Sequence, residues 1–140
     1  MNKALLDTDI YSEILRGVNA TVAAHALAYR QTHGRLTLSV ITVMEMIKGL
    51  QKVQRPQKIA TLLAAIASEE VLDFGQPAAE TAGHIWGDLE RIGQPIGLAD
   101  PMIAAIALTH GLELVTGNTS DFQRIQQLGY PLILSNWRIP

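Results

Sequence analysis

Residues 4–15, ALLDTDIYSEIL, pass from one hydrophobic period to another across a pair of acids. Ala4, Leu5 and Leu6 form a short unbroken apolar run, which suits a buried strand. Ile10, Ile14 and Leu15 recur at helical spacing, and Gly17 supplies a stop. Asp7, Thr8 and Asp9 occupy the turn between them. A buried strand that runs through a polar turn into a helix is how an α/β chain with a parallel sheet begins.

Outward from that stretch the alternation continues. Val22 to Thr32 is Ala-rich and helical, closing at His33 and Gly34, and Leu36, Leu38 and Val40 alternate with polar residues as a second strand would. Ile41, Met44, Ile47 and Leu50 return to helical spacing, and Ile59, Leu62, Leu63 and Ile66 continue it after Pro56. Val71 to Phe74 predicts a third strand, Ala78 to Ile92 a helix with Ile85 and Leu89 inward, and Met102 to Leu108 another, stopped by Gly111. Leu112, Leu114 and Val115 suit a fourth strand, Phe122, Ile125 and Leu128 a helix, and Leu132 to Leu134 a final strand. The order βααβααβααβαβ predicts the α/β class, a mostly parallel central sheet covered by helices. With no internal repeat, low-complexity tract or linker, residues 1–140 read as one domain.

Composition excludes several functions. A chain of 140 residues, 48% hydrophobic and 17% charged, is not disordered, and folding should bury about two thirds of its unfolded surface. No apolar stretch nears the roughly 20 residues of a membrane span, and the first residues do not resemble a signal peptide. The absence of cysteine removes thiolate nucleophiles, disulfides and cysteine zinc sites, and agrees with a cytoplasmic location. Eleven basic against 13 acidic residues, a net charge of −2, argue against a broad basic surface for nucleic acid. A local patch or a bound metal can still supply positive charge.

Four acids stand where the chain should be apolar or turning: Asp7, Glu45, Asp100 and Asp121. A carboxylate beside a core loses hydration and needs a cation or several donors. In an open parallel sheet ligands bind beyond the carboxyl ends of the strands, an edge that all four acids can reach. Each acid also has a structural reading. Asp7 or Asp9 can cap the first helix, with Asp9 the better candidate for the cap and Asp7 for a site. Asp100, before Pro101, reads as an N-cap, and Asn118 with Asp121 has capping-box spacing. Glu45, between Met44 and Met46, can pair with Lys48, though a polar site in an apolar helix suits it better. No histidine has a partner at metal-ligand spacing; His33 and His110 suit helix ends. Trp86 and Trp137 suit a core or an interface rather than base stacking.

The chain resembles PIN-domain ribonucleases, specifically VapC toxins of toxin–antitoxin pairs. The motifs that carry the resemblance are Leu5-Leu6-Asp7-Thr8-Asp9-Ile10, Thr42-Val43-Met44-Glu45-Met46-Ile47-Lys48-Gly49, Gly97-Leu98-Ala99-Asp100-Pro101-Met102-Ile103-Ala104-Ala105 and Thr116-Gly117-Asn118-Thr119-Ser120-Asp121-Phe122. Four motifs in order at fitting separations cover nearly the whole chain. The resemblance implies a PIN-like three-layer sandwich, catalytic and metal-holding roles for Asp7, Glu45, Asp100 and the more variable Asp121, and supporting roles for Thr116 and Asn118. It also implies hydrolysis of RNA, with transfer RNA or another structured RNA as substrate class, a homodimer, and a small VapB-like antitoxin whose tail covers the acids.

Oxygen ligands without His or Cys favour a hard cation, Mg2+ or also Mn2+, which neutralises phosphate charge and activates water. Arg16, Lys48, Lys52, Arg55 and Lys58 are candidates for phosphate contacts, or form a solvated helix face. Two other classes compete. Asp7-Thr8-Asp9-Ile10 also resembles the first motif of haloacid-dehalogenase-like phosphatases, but these need a late lysine and none follows Lys58; a phospho-acceptor signalling domain fails on the same ground. A non-catalytic interaction module whose acids bind a structural ion is distinguished by asking whether Asp7→Asn or Glu45→Gln alters RNA cleavage.

Overall fold

Short buried strands and long helices divide the chain as the hydrophobic periods require. The computed structural model describes residues 1–140. In order they form β1 (Ala4–Leu6), α1 (Thr8–Arg16), α2 (Ala20–His33), β2 (Thr37–Ser39), α3 (Val40–Lys52), α4 (Pro56–Ile66), β3 (Glu70–Leu72), α5 (Gln76–Arg91), α6 (Ala99–His110), β4 (Glu113–Val115), α7 (Thr119–Gln127) and β5 (Leu134–Ser135). All pairings are parallel: β1 beside β4, β4 beside β5, and β2 beside β3. The expected element order and α/β class hold.

Side chains that alternate across the strands divide the interior into two cores. Leu5 and Leu114 face one side, where they meet Ile85, Leu89, Ile103, Ile106, Phe122 and Ile125 of α5, α6 and α7. Leu6 and Val115 face the other, with Ile10, Tyr11, Val22, Tyr29, Leu38 and Leu62 of the remaining layer. The sheet between two helical layers makes a three-layer sandwich. In α6 every residue from Ile103 to Ala107 is fully buried; small Ala104, Ala105 and Ala107 allow close packing against α5. Truncating Leu5 or Leu114 to alanine would cost about 2–5 kcal/mol, the usual range for a core leucine.

The ladder is interrupted between β1 and β2, and a side chain occupies the seam. The Tyr29 hydroxyl of α2 accepts the Ala4 N–H at 3.2 Å, lies 3.2 Å from the Ala4 carbonyl and 2.8 Å from the Thr37 hydroxyl. Backbone groups that lack a strand partner there are satisfied by one phenol.

Several boundaries differ from expectation; α6, for one, starts at Ala99 and not Met102. β2 stops at Ser39, and Val40 opens α3; Ser39 is the N-cap, its Oγ accepting the Thr42 N–H at 3.3 Å. The alternation of Leu36, Leu38 and Val40 was misleading because Thr37 and Ser39 are as buried as the leucines, so β2 has no solvent face to mark its end. β3 spans Glu70–Leu72 instead of Val71 to Phe74. The last strand is Leu134–Ser135 rather than Leu132–Leu134; Leu132 is held in a tight turn, its N–H donating to Tyr130 O at 2.8 Å.

Candidate acidic site at the strand ends

β1 and β4 pair in parallel, so their carboxyl ends emerge at one edge, and the 2.9 Å contact of Thr8 Oγ1 with Thr42 Oγ1 brings the start of α3, just after β2, to the same place. Asp7 extends β1 by one rung, its N–H donating to Val115 O at 2.8 Å. Its backbone is extended, and it is the N-cap of α1. Oδ1 accepts the Thr8 N–H at 2.8 Å and Oδ2 accepts the Thr116 hydroxyl at 2.8 Å. The side chain is almost fully enclosed, and this burial pushes its pKa up to about 6, against the lowering effect of the Thr116 and Thr8 hydrogen bonds. Asp9 and Glu45 push in the same upward direction.

Thr116 follows β4 and is itself fully buried. Its N–H donates to Ser135 O at 2.9 Å, while Oγ1 donates to Asp7 and accepts the Asn118 N–H at 2.9 Å. One hydroxyl therefore links the ends of β1 and β4 and shapes the turn into α7. Asn118 occupies the N-cap position of α7 but caps no N–H. Its Nδ2 donates instead to Asp121 Oδ2 at 3.0 Å and, at the limit of a hydrogen bond, to Asp100 Oδ2 at 3.5 Å. The capping-box reading of Asn118 and Asp121 gives way to an amide that joins two carboxylates.

Asp100 lies in the first turn of α6, after Ala99, so it is not the N-cap; Leu98 holds that place. Partial burial raises its pKa to about 7, followed in effect by the charges of Asp7, Asp121, Glu45 and Asp9. Glu45 projects from α3 and accepts the Thr8 hydroxyl on Oε1 at 2.6 Å; Thr8 Oγ1 also lies 2.9 Å from Thr42 Oγ1. The ion pairs of the chain are Lys3–Glu70, Arg30–Glu69, Arg91–Asp88 and Arg138–Glu13. Glu45 thus takes a threonine in place of the Lys48 partner. Asp9 is exposed and is not the cap of α1; the expectation that it caps the helix is corrected, because Asp7 takes that place.

Thr8 and Thr42 were not singled out from the sequence as site residues. The available signal was a hydroxyl beside each acid-bearing motif, but threonines that cap helices look the same. Arg16, Lys48, Lys52, Arg55 and Lys58 are exposed and outside all four ion pairs. A cleft of about 300 Å3, lined by Thr8, Asp9, Ser12, Met46, Gly49 and Leu50, opens beside Thr8. The histidines stand elsewhere: His25 Nε2 lies 3.0 Å from Ile139 O, and His33 Nε2 lies 2.9 Å from Met1 O.

Beyond the effect of burial, Asp7, Asp121, Glu45 and Asp9 all act to raise the Asp100 pKa, yet no three of the acids converge into a closed metal cage. Thr116, Thr8 and Asn118 each hold a carboxylate toward its own scaffold. The donor set still fits a hard divalent ion, because Mg2+ keeps several waters and needs only one or two direct carboxylates.

Comparison with known proteins agrees with this arrangement. Residues 4–128 match the family described as PIN domain. A tRNA(fMet)-specific endonuclease VapC of Shigella flexneri is 35% identical over 126 residues, 89% of this chain and 93% of the relative. A protein of the same description from Salmonella typhimurium is 41% identical over 92 residues, 65% of this chain and 70% of the relative. Among solved structures, DNA-bound VapBC from Salmonella typhimurium aligns with a TM-score of 0.80 at 32% identity, covering 98% of this chain and 99% of that one. With its parallel strand ends, its cluster of acids and these relatives, the chain belongs to the PIN-domain family, among the VapC ribonucleases.

Proposed function

We propose that this ribonuclease is a Mg2+-dependent endonuclease acting on transfer RNA in the cytoplasm, as the toxin of a toxin–antitoxin pair. The observation that carries the reading is the gathering of acids at the strand ends, where Asn118 Nδ2 spans Asp121 Oδ2 at 3.0 Å and Asp100 Oδ2 at 3.5 Å, and where burial first and then Asp7, Asp121 and Glu45 push the Asp100 pKa up. Like charges gathered partly out of water favour either a proton or a cation, and a divalent ion is the compensation that leaves them charged. The relatives described as tRNA(fMet)-specific endonucleases support transfer RNA, the initiator in particular, as the substrate to test first.

Asp7, Asp100, Glu45 and Asp121 would hold the metal, one or two of them directly and the others through its waters. A divalent ion bound there supplies charge neutralisation at the scissile phosphate and a more acidic attacking water. The chain's own groups set the geometry. Thr116 fixes the Asp7 carboxylate by Oδ2, Thr8 fixes Glu45 by Oε1, and Asn118 ties Asp121 to Asp100. Glu45 Oε2 makes no hydrogen bond and is available to accept the proton of the attacking water. The exposed cations from Lys48 to Lys58 offer phosphate contacts along α3 and α4.

Two assemblies accompany the reading. The VapBC complexes among the structural neighbours support a VapB-like antitoxin as partner, and a homodimer is proposed with it. Incubating purified chain with initiator transfer RNA tests the function. Cleavage should require Mg2+ or Mn2+, stop with chelator, and fall by at least about a hundredfold in Asp7→Asn, Glu45→Gln and Asp100→Asn. Equal residual activity in those variants and the unmutated protein would rule the reading out.

A further inference from the structure

The segment after β5 folds back onto the scaffold of the acidic site. Trp137 is buried in the second core, its ring stacked on His25 at a 5.8 Å centroid distance and tilted against Tyr29 at 5.8 Å. The N–H of Arg138 donates to Asn136 Oδ1 at 3.0 Å. With its backbone fixed in this way, Arg138 extends Nε and Nη2 to Glu13 Oε1, each at 2.8 Å. Glu13 belongs to α1, the helix that Asp7 caps. Its side chain is 14% exposed, and Oε2 is buried without a partner.

The same guanidinium lies on Gly117. A β-carbon at that position would overlap Arg138 Nη1 and Cζ and stand 3.0 Å from Nε. Gly117 is not among the glycines with positive φ, which are Gly17, Gly34, Gly93, Gly111 and Gly129. Its backbone conformation therefore does not call for glycine, but a methyl there would unseat the guanidinium. Gly117 stands between Thr116, which donates to Asp7, and Asn118, which joins Asp121 and Asp100.

We propose that Arg138 is a positioning residue of the acidic site, a strut that ties the β1–α1 unit carrying Asp7 to the β4–α7 turn carrying Thr116 and Asn118. A half-exposed ion pair adds little stability by itself. Here it locks a planar group against a peptide, a task that suits the rigid fork of arginine and not the point charge of lysine. Arg138 touches none of the four acids and acts through the two loops it joins. The proposal rests on the nuclease reading above, and its test separates the two.

Arg138→Ala, Arg138→Lys, Gly117→Ala and the double variant Gly117→Ala/Arg138→Ala are compared in the full chain by Mn2+ calorimetry and by kcat and KM on initiator transfer RNA. Arg138→Ala and Gly117→Ala should each lower kcat by about tenfold to a hundredfold, as a misplaced reacting group does. KM should stay within about twofold, and Mn2+ binding should weaken in parallel. The double variant should be no worse than Arg138→Ala, because the added methyl then has nothing to displace. Arg138→Lys should fall short of the unmutated protein in both readouts.

Additive losses, or unmutated kcat and Mn2+ affinity in Arg138→Ala, would overturn the proposal. So would a rise in KM alone, which would make Arg138 a substrate contact. If the unmutated chain binds Mn2+ without cleaving RNA, the nuclease reading fails while the calorimetric cycle still decides the strut; absence of Mn2+ binding overturns both. Should Gly117→Ala fail to fold, Glu13→Ala takes its place, with the same fall in kcat expected.

Discussion

Thr116 Oγ1 donates to Asp7 Oδ2 across 2.8 Å, joining residues 109 positions apart at the ends of adjacent parallel strands. This hydroxyl partly offsets the burial that raises the Asp7 pKa, and it also receives the Asn118 N–H. Thr116→Val keeps the volume and removes both functions. It should destabilise the protein by about 1–3 kcal/mol, the cost of leaving buried polar groups unpaired, and lower RNA cleavage with it. Thermal unfolding and cleavage assays at neutral pH check this, with Thr116→Ser expected to retain most of both.

Metal-free stability should depend on pH in an unusual direction. Asp7 and Asp100 have native pKa values of about 6 and about 7 against an ordinary 3.8, so between those limits the native state holds more protons than the unfolded one. Unfolding free energy then falls as pH rises through that window and gains nothing from these two groups above about pH 7. Denaturant titrations of the chelator-treated protein from about pH 4 to about pH 8 should show the decline, and Asp100→Asn should flatten it.

Divalent metal should reverse that loss. A ligand that binds only the native state stabilises it by about 2.7 kcal/mol at a hundred times its Kd. Mn2+ should therefore raise the melting temperature more at pH 8 than at pH 5, because it competes with protons for Asp7 and Asp100. In Asp7→Asn most of the shift should vanish.

Thr8 holds Glu45 through a 2.6 Å hydrogen bond and is itself 2.9 Å from Thr42. Thr8→Val should release Glu45 and reduce kcat by about tenfold or more, whereas Thr8→Ser should stay within a few-fold of the unmutated enzyme. Circular dichroism of both variants should match the parent, which separates a loss of orientation from a loss of fold.

Asp7 and Asp9 make a contrasting pair. Asp9 is exposed and accepts no hydrogen bond from the first turn of α1, so Asp9→Ala should change stability by no more than about 0.5 kcal/mol. At about pH 4, where the raised Asp7 pKa does not count against the native state, replacing Asp7 by alanine removes the cap and leaves the Thr116 hydroxyl without its acceptor, at a cost of about 1–3 kcal/mol. Urea unfolding of the two variants compares them directly.

Element order was legible because Leu5, Ile85, Ile103 and Phe122 lie in segments whose periods differ between strand and helix. Where burial is uniform, periodicity loses its meaning. Thr37 and Ser39 are enclosed with Leu36 and Leu38, so nothing local distinguished the last strand residue from Val40, the first of α3. The choice between Asp7 and Asp9 as cap failed for a related reason: the cap is whichever residue leaves the ladder, and Asp7 leaves it last through its bond to Val115.

By itself the sequence determined that this chain builds a parallel α/β sheet and carries acids at its turns, since hydrophobic period and turn chemistry are local properties. Only the tertiary structure decided what each acid faces. The hydroxyl on Asp7 comes from Thr116, the one on Glu45 from Thr8, and the guanidinium seated on Gly117 from Arg138. Those partners are distant in the chain, and side chains meet there because packing of two cores against one sheet brings the strand ends together.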